Sequence, residues 1–329
     1  MEYKQLNNTS IKISEIVLGC WALGGGYTWG EQDAQASIDT IHTALDLGIN
    51  TFDTAEFYGG GRSEELLGRG LVGSRNKAVI ITKLWTENMT REKTIVSCEQ
   101  SLKRLKTDYI DLYLIHWPHR DVPLEETLGA MEKLKGNGKV RALGVCNFGL
   151  RDLDKALSIS DIATDQLAYS LLFRAIESEI LNGCIQSNVG VLAYSNLAQG
   201  LLTGKFTGLK DVDDERARIR FYSKDRPGTV HEESGYESQV FESIGEIRVI
   251  CDELGEDMAC VAAAWILHQK GIVGSLVGAR TPEQVKRNVK AAELELSTDV
   301  LERLNSATDE LKKAMGPNAD MWRTASRIR

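Results

Sequence analysis

Residues 78–115 read AVIITKLWTENMTREKTIVSCEQSLKRLKTDYIDLYLI. Ala78–Thr82 is a short β-branched run, Thr90–Leu105 is amphipathic at helical spacing, and Tyr109–Ile115 is a second apolar run of strand length. Strand, helix and strand in that order make a βα unit, and the alternation continues on both sides with little interruption. The other candidate strands are Ile16–Leu18, Asn50–Phe52, Val140–Val145, Thr164–Ala168, Gly190–Ala193 and Gly271–Val277, which makes eight. Helical patterns lie at Asp33–Leu47, Ser63–Leu71, Pro123–Lys135, Leu150–Leu157, Glu177–Ser187, Tyr236–Leu254 with Met258–Gln269, and Pro282–Leu294. Pro123 followed by Glu125 and Glu126 marks one helix start. Eight strands each followed by a helix predict an α/β fold, a (β/α)8 TIM barrel. Periodicity alone leaves an open doubly wound sheet as the alternative.

Two segments stand outside the eight-fold pattern. Tyr3–Leu6 and Ile11–Ile13 predict an N-terminal β-hairpin across the bottom of the barrel. Residues 207–233 form a long, charge-dense loop after strand seven, and loops of that length are lids, binding loops or disordered. Within it, the charged run Asp211–Arg220 reads as a solvated surface rather than a lid. Leu296–Leu311 predicts a final C-terminal helix, followed by a tail that the pattern does not place. No composition shift or linker divides residues 1–329, so a single domain is expected.

Composition narrows the function. The chain is 42% hydrophobic and carries 39 basic against 47 acidic residues, a net charge of −8. It can bury a large core, and its scattered Lys and Arg argue against nucleic acid or an anionic membrane surface as main partner. No apolar run approaches the length of a membrane span and the polar MEYKQLNNTS start is unlike a signal peptide, so the cytoplasm is the expected location. Cys20, Cys98, Cys146, Cys184, Cys251 and Cys260 share no CxxC spacing and are expected to be reduced. The Asn-x-Ser/Thr matches at Asn7, Asn8 and Asn88 carry no meaning in an unexported chain.

Two nucleotide-loop matches fail on context. The literal GxGxxG at Gly68–Gly73 follows the helical SEELL and precedes a strand, the reverse of a dinucleotide fingerprint, and reads as a helix end and turn. Gly200–Lys205 has three residues between its glycines where a P-loop needs four.

The informative residues sit at strand ends, where barrel enzymes gather their catalytic groups. Strand two runs into Asp53-Thr-Ala-Glu-Phe-Tyr58-Gly, strand three into Thr82-Lys83-Leu-Trp85, and strand four into Ile115-His116-Trp117-Pro. An acid, a phenol, an ammonium and an imidazole thus converge on one mouth. Each alone could be an ion pair, a rim residue or a satisfied core histidine; together, beside apolar walls, they indicate a site. Trp21, Trp85 and Trp117 are expected to wall the substrate pocket, and Trp265 to belong to the core. The five histidines form no HxH or HxxxH set, so no metal is expected. After strand eight, Thr281 is a plausible N-cap, Pro282 the first helical residue and Gln284 the N3 partner of a capping box; this is either an ordinary helix start or an anion site.

DTAEFYGGGRSEELLG, the ITKLW lysine, DYIDLYLIHWP, KVRALGVCNF and YSNLAQGLLTGK, in that order, resemble the aldo-keto reductases, most nearly the bacterial branch related to general-stress reductases. The similarity runs from about Tyr3 to about Leu311. It implies a barrel that binds NADP(H) at its C-terminal mouth without a Rossmann fold, and a small-molecule carbonyl as substrate. It further implies a catalytic tetrad of Asp53, Tyr58, Lys83 and His116. In that tetrad Lys83 would stabilise the Tyr58 phenolate, Asp53 would hold the ammonium, and His116 would orient and polarise the carbonyl, with Tyr58 as proton donor. By the same resemblance Arg280 and Thr281 would meet the 2′-phosphate of NADP, and Gln284 and Asn288 the adenine. Gly19, Trp21, Asp53, Asn147, Gln166, Tyr194, Ser195, Leu197, Gly200, Lys205 and Gly278 would line the rest of the cofactor. Cys146, Asn196 and Arg287 stand where relatives often carry Ser, Pro and an acid, and Arg287 either adds positive charge near the phosphate or is solvated. Two other readings compete with a reductase: a Schiff-base lyase using Lys83, and a non-catalytic NADP(H)-binding subunit like those associated with channels.

Overall fold

The computed structural model describes residues 1–26 and 29–329. Its strands are β1 (Tyr3–Gln5), β2 (Lys12–Ser14), β3 (Ile16–Gly19), β4 (Thr51–Asp53), β5 (Val79–Leu84), β6 (Ile110–Ile115), β7 (Val140–Cys146), β8 (Ile162–Ala168), β9 (Gly190–Tyr194) and β10 (Ile272–Gly278). Strands β3 to β10 form a closed parallel barrel. Closure is made by β10 on β3, with Ser275 opposite Ile16 and Gly278 opposite Gly19, so the open sheet is excluded. The helices are α1 (Ala34–Asp46), α2 (Arg62–Gly70), α3 (Arg91–Leu105), α4 (Leu124–Gly136), α5 (Leu150–Leu157), α6 (Ile180–Gln186), α7 (Glu237–Leu254), α8 (Met258–Leu267), α9 (Pro282–Lys290) and α10 (Thr298–Met315).

A strand's period of two sorts each barrel strand into an outward and an inward set. Phe52, Ile80, Leu84, Tyr113 and Ile115 face outward into the main core shared with the helices. Val17, Val79, Ile81, Leu112, Leu114, Ala142 and Leu192 face inward and join Leu6, Ile11 and Ile13 of the antiparallel β1–β2 hairpin, which plugs the end opposite the mouth. Continuing the inward set by one more step brings Gly19, Asp53, Lys83, His116, Cys146, Gln166, Tyr194 and Gly278 to the upper layer of the barrel. The strand pattern therefore builds the ring of candidate site residues.

Several local expectations are corrected. Pro123 is the N-cap of α4 and not its first helical residue. The stretch predicted as one helix from Glu177 is a 3-10 turn, Ala175–Ser178, then α6; Glu179 breaks it at φ −155°, while Glu177 is held by Arg174. The final helix starts later and runs further than predicted, because Ser297 caps it by accepting from Val300 N. Gly68 lies inside α2, where a Cβ would come within 2.6 Å of the Arg104 carbonyl oxygen, so it serves helix packing. Trp265 is fully buried, with Nε1 donating to Asn305 Oδ1 at 3.0 Å.

The 207–233 loop and the tail form a common layer over the mouth. Arg220, expected to be solvated, is buried. It donates to Glu233 Oε1 at 2.7 Å and to the backbone oxygens of Met315, Asn318 and Asp320 at 3.1, 2.9 and 3.3 Å. Ala217, Ile219, Phe221 and Tyr222 are buried with it, so an apolar core underlies this charge-dense segment. In the tail, buried Asp320 grips Arg327 through both carboxylate oxygens, and the Arg329 carbonyl accepts from Asp152 N at 3.0 Å at the start of α5. Among the described residues no helix is long and apolar enough to cross a membrane.

Candidate active site

Tyr58 leaves the barrel on a 3-10 turn, Tyr58–Gly61, whose glycines 59 and 60 adopt φ of +60° and +63°. A Cβ on Gly59 would lie 2.7 Å from the Gly24 carbonyl oxygen, so both conformation and space demand glycine there. The turn swings the phenol back over Lys83. The Lys83 ammonium, wholly buried, donates to Asp53 Oδ1 at 2.6 Å, to the Thr54 carbonyl at 2.8 Å and to Tyr58 Oη at 3.3 Å. Gln166 Nε2 donates to the other Asp53 oxygen at 2.7 Å. His116 stands edge-on to the Tyr58 ring, with centroids 5.7 Å apart and planes at 81°. Asn147 Nδ2 donates to the His116 carbonyl at 3.1 Å and its Oδ1 accepts from Tyr194 Oη at 2.8 Å.

Burial dominates the electrostatics. It pushes the Tyr58 phenol above its ordinary value; Lys83 pulls the other way, as expected, but is outweighed. The net shift is upward, and the phenol keeps its proton. His116 falls well below the ordinary imidazole value, first through burial and then through the charge of Lys83, so it is neutral near pH 7. Lys83 is lowered by burial but raised by Asp53, Tyr58 and Cys146 together, with a net upward shift that keeps it an ammonium. Asp53 is raised by burial, against the pull of Lys83 and Gln166.

Aromatic rings enclose this cluster. Trp21 stacks on Tyr58 at 5.7 Å, and Trp85 meets His116 edge-on at 5.1 Å. Trp117 is 8% exposed and joins the main core, with the Arg327 guanidinium 3.5 Å from the centre of its ring.

A cradle of positive-φ backbone and basic side chains runs beside the cluster. Gly19 and Gly278 face each other on adjacent strands and leave the rim free of side chains there. After β9, the chain holds Ser195, Ala198, Gln199 and Gly200 at positive φ, with Ala198 N donating to the Ser195 carbonyl and Gly200 N to the Leu197 carbonyl, each at 2.8 Å. Lys205 lies close to Gly200, and its ammonium is lowered by burial and by neighbouring Arg216. At the start of α9, Thr281 Oγ1 accepts from Gln284 N at 3.4 Å, but Gln284 Oε1 accepts from Arg280 N, not from Thr281 N as a capping box requires. Arg280 is oriented by Gln32 Oε1 at 2.7 Å and the Glu31 carbonyl at 2.5 Å. Asn288 Nδ2 donates to the Gly278 carbonyl, Leu197 is half-buried in the β9 loop, and Arg287 is exposed on α9. Asn196 ties that loop to Ser275 of β10.

The description "Aldo/keto reductase family" belongs to the sequence family whose model matches residues 15–309. The chain belongs to the aldo/keto reductase family. It is similar to the aldo-keto reductase YhdN of Bacillus subtilis, at 36% identity over 87% of each chain. It is also similar to a protein of Escherichia coli named NADH-specific methylglyoxal reductase, at 34% identity over 89% of this chain and 94% of that one. An aldo-keto reductase from Klebsiella pneumoniae, solved in complex with NADPH, is 29% identical over 93% of this chain and 95% of that one, with a TM-score of 0.74.

Sequence reading of this aldo/keto reductase missed Glu56, Phe57, Trp29, Arg216 and Arg327. Phe57, 52% exposed, stacks on Trp85 at 3.9 Å, and Trp29 meets Trp21 edge-on at 5.4 Å. Phe57 and Glu56 sit inside the recognised strand-two block and carried a usable signal by adjacency. Arg216 and Arg327 carried none, because their positions depend on the folding of the long loop and the tail.

Proposed function

We propose that this chain, residues 1–329 working as one unit, is an NADPH-dependent oxidoreductase that reduces aldehyde or ketone carbonyls to alcohols. The observation that carries this reading is the fully buried Lys83 ammonium bridging Asp53 and the Tyr58 hydroxyl beside a neutral His116. The nicotinamide would supply the hydride. Tyr58 supplies the proton, since its hydroxyl is held protonated within reach of a carbonyl oxygen in the mouth. Lys83 steadies the negative charge left on the phenol as the proton departs, and Asp53 with Gln166 keeps the ammonium in place. His116, neutral, donates to the carbonyl oxygen without delivering a second charge. The Trp21, Trp85 and Phe57 rings exclude water from the reacting centre.

The cradle suits a dinucleotide phosphate chain: Ser195, Ala198, Gln199 and Gly200 at positive φ, with Lys205 and Arg216 alongside. Lys205 and Arg216 would hold the pyrophosphate, and Tyr194, Asn147 and Gln166 would face the nicotinamide. Arg280, Thr281, Gln284 and Asn288 would hold the adenosine end, with Arg287 next to them. A Schiff-base role for Lys83 is disfavoured, because an amine kept as ammonium against a carboxylate is a poor nucleophile.

The test is a panel of aldehydes, ketones, sugars and quinones, followed by loss of NADPH absorbance. Turnover of a carbonyl supports the reading; NADPH binding with no turnover would make the chain a non-catalytic NADP(H)-binding subunit. With NADPH saturating, kcat/KM should be flat between pH 6.5 and 10.0, the ordinary imidazole and phenol values, because His116 shifts below the first and Tyr58 above the second. A falling limb inside that range would show that one of these groups titrates there.

Cofactor choice is tested at Arg280. A guanidinium at a helix N-terminus binds a 2′-phosphate through charge-assisted hydrogen bonds, worth about 1.5–3 kcal/mol or roughly ten- to a hundredfold in affinity. Arg280→Ala should weaken NADPH by that factor and leave NADH nearly unchanged, as titrated by tryptophan fluorescence. Equal losses for both cofactors would move the 2′-phosphate contact to Arg287 or Lys286.

A further inference from the structure

Between Asp53 and Tyr58 the chain carries one more ionisable residue, and its bonds point away from both. Glu56 Oε1 accepts from the backbone N of Trp85 at 2.6 Å and from Asn88 Nδ2 at 3.1 Å. Its Oε2 accepts from Ser97 Oγ, on α3. One carboxylate therefore fastens the Tyr58-bearing turn to the segment that follows β5, at the residue whose side chain forms the pocket wall. The Trp85 indole lies flat on Phe57, at 3.9 Å and 12°, and edge-on to His116, at 5.1 Å and 80°.

His116 needs such a wall. Its Nδ1 is buried and makes no hydrogen bond among the described residues. The usual way to set a catalytic imidazole, a hydrogen bond from the far ring nitrogen to a carboxylate or carbonyl, is missing from this geometry. The ring plane is instead set by packing, near-perpendicular to both the Tyr58 and the Trp85 rings.

We propose that Glu56 is a positioning residue of the reductase site: by holding Trp85 it fixes the plane of His116 relative to Tyr58. This rests on the reductase reading above. The relevant property is reach to the Trp85 amide, not charge. Glutamine keeps an oxygen at that reach, and its NH2 can face Ser97, whose hydroxyl can turn to accept. Aspartate keeps the charge but is one methylene short.

The experiment compares Glu56→Gln, Glu56→Asp and Glu56→Ala for methylglyoxal reduction at saturating NADPH, with NADPH affinity measured alongside. The Trp85 emission is read without substrate, as the difference from the same protein carrying Trp85→Phe. Misplacement of a catalytic group by about 1 Å costs up to ~10²-fold. Glu56→Asp and Glu56→Ala should therefore lose roughly ten- to a hundredfold in kcat, keep NADPH affinity within about twofold, and show a red-shifted Trp85 emission. Glu56→Gln should stay within about threefold of the parent with unshifted emission. If Glu56→Ala does not fold, the Gln and Asp pair decides alone: aspartate as active as glutamine, or an unshifted emission in aspartate, overturns the proposal. A parent chain that reduces no carbonyl would overturn the reductase reading, while the emission shift would still decide whether Glu56 places Trp85.

Discussion

Replacing Tyr58 with phenylalanine should reduce the turnover of carbonyl reduction by roughly 10²–10⁴-fold, the usual range for removal of a general acid. The change is narrow. The phenylalanine ring can keep the stack on Trp21 at 5.7 Å and the edge contact with His116, so the pocket walls stay in place. Lys83 keeps two of its three partners, Asp53 and the Thr54 carbonyl. NADPH affinity should therefore hold within about twofold while kcat falls, a split that separates loss of the proton donor from loss of the site. Turnover above about half of the parent's would remove Tyr58 from the mechanism and leave water or His116 as the donor.

Lys83→Met should have the largest effect on stability, and it should depend on pH. It deletes one partner of a buried ion pair in which Lys83 is 0% and Asp53 3% exposed. Breaking such a pair from one side costs about 3–5 kcal/mol, because the remaining charge is left in a poorly solvating interior. Burial already raises the Asp53 carboxyl, and removal of Lys83 takes away the first influence opposing that rise. In the variant, folded Asp53 holds its proton at pH values where unfolded Asp53, with an ordinary value of 3.8, has released it. The folded state then binds more protons than the unfolded one, so stability falls as pH rises from near 4 upward, and the penalty is smallest in acid. Urea unfolding at pH 7 and pH 5 reads this directly, and adding Asp53→Asn to Lys83→Met should restore part of the loss at pH 7. A loss under about 1 kcal/mol that does not vary with pH would show that the two groups are not a buried pair. Activity should fall as well, since the Tyr58 phenol loses the positive charge of Lys83 and its pKa moves further up.

The eight βα units and the convergence of Asp53, Lys83 and His116 on one mouth were legible for the same reason. Alternating apolar residues mark a strand, and the same alternation decides which side chain points inward at its upper end. In AVIITKLW the inward set Val79 and Ile81 leads to Lys83; in YIDLYLIHW the inward set Leu112 and Leu114 leads to His116. A pattern confined to a few neighbouring residues thus carried both the strands and the placement of these side chains. The helix start at Thr281–Pro282 was legible too, but Gln284 reaches one residue further back than a capping box would have it, to Arg280 N.

The loop and the tail were not legible, because their order comes from partners far away in sequence. Arg220 is buried by backbone carbonyls about a hundred positions further on, at Met315, Asn318 and Asp320, and read locally it is one charge among many. Arg327 over Trp117 is a contact between the tail and the end of β6, with nothing in either stretch to announce it.

By itself, then, the sequence determined which residues form strands and helices, that eight βα units follow one another, and that Asp53, Lys83 and His116 stand at strand ends with Tyr58 just beyond one. Those are properties of short-range periodicity. Only the tertiary structure decided that the sheet closes between β3 and β10, that Arg216 comes to the cradle, and that Trp117 lies under Arg327. It also decided the protonation of the site. Lys83 and Asp53 lie 30 positions apart and Asp53 and Gln166 113 apart, and the balance between their charges and the loss of water depends on how completely the barrel surrounds them. That balance keeps Tyr58 a neutral phenol and Lys83 an ammonium, and burial is a property of the folded chain as a whole.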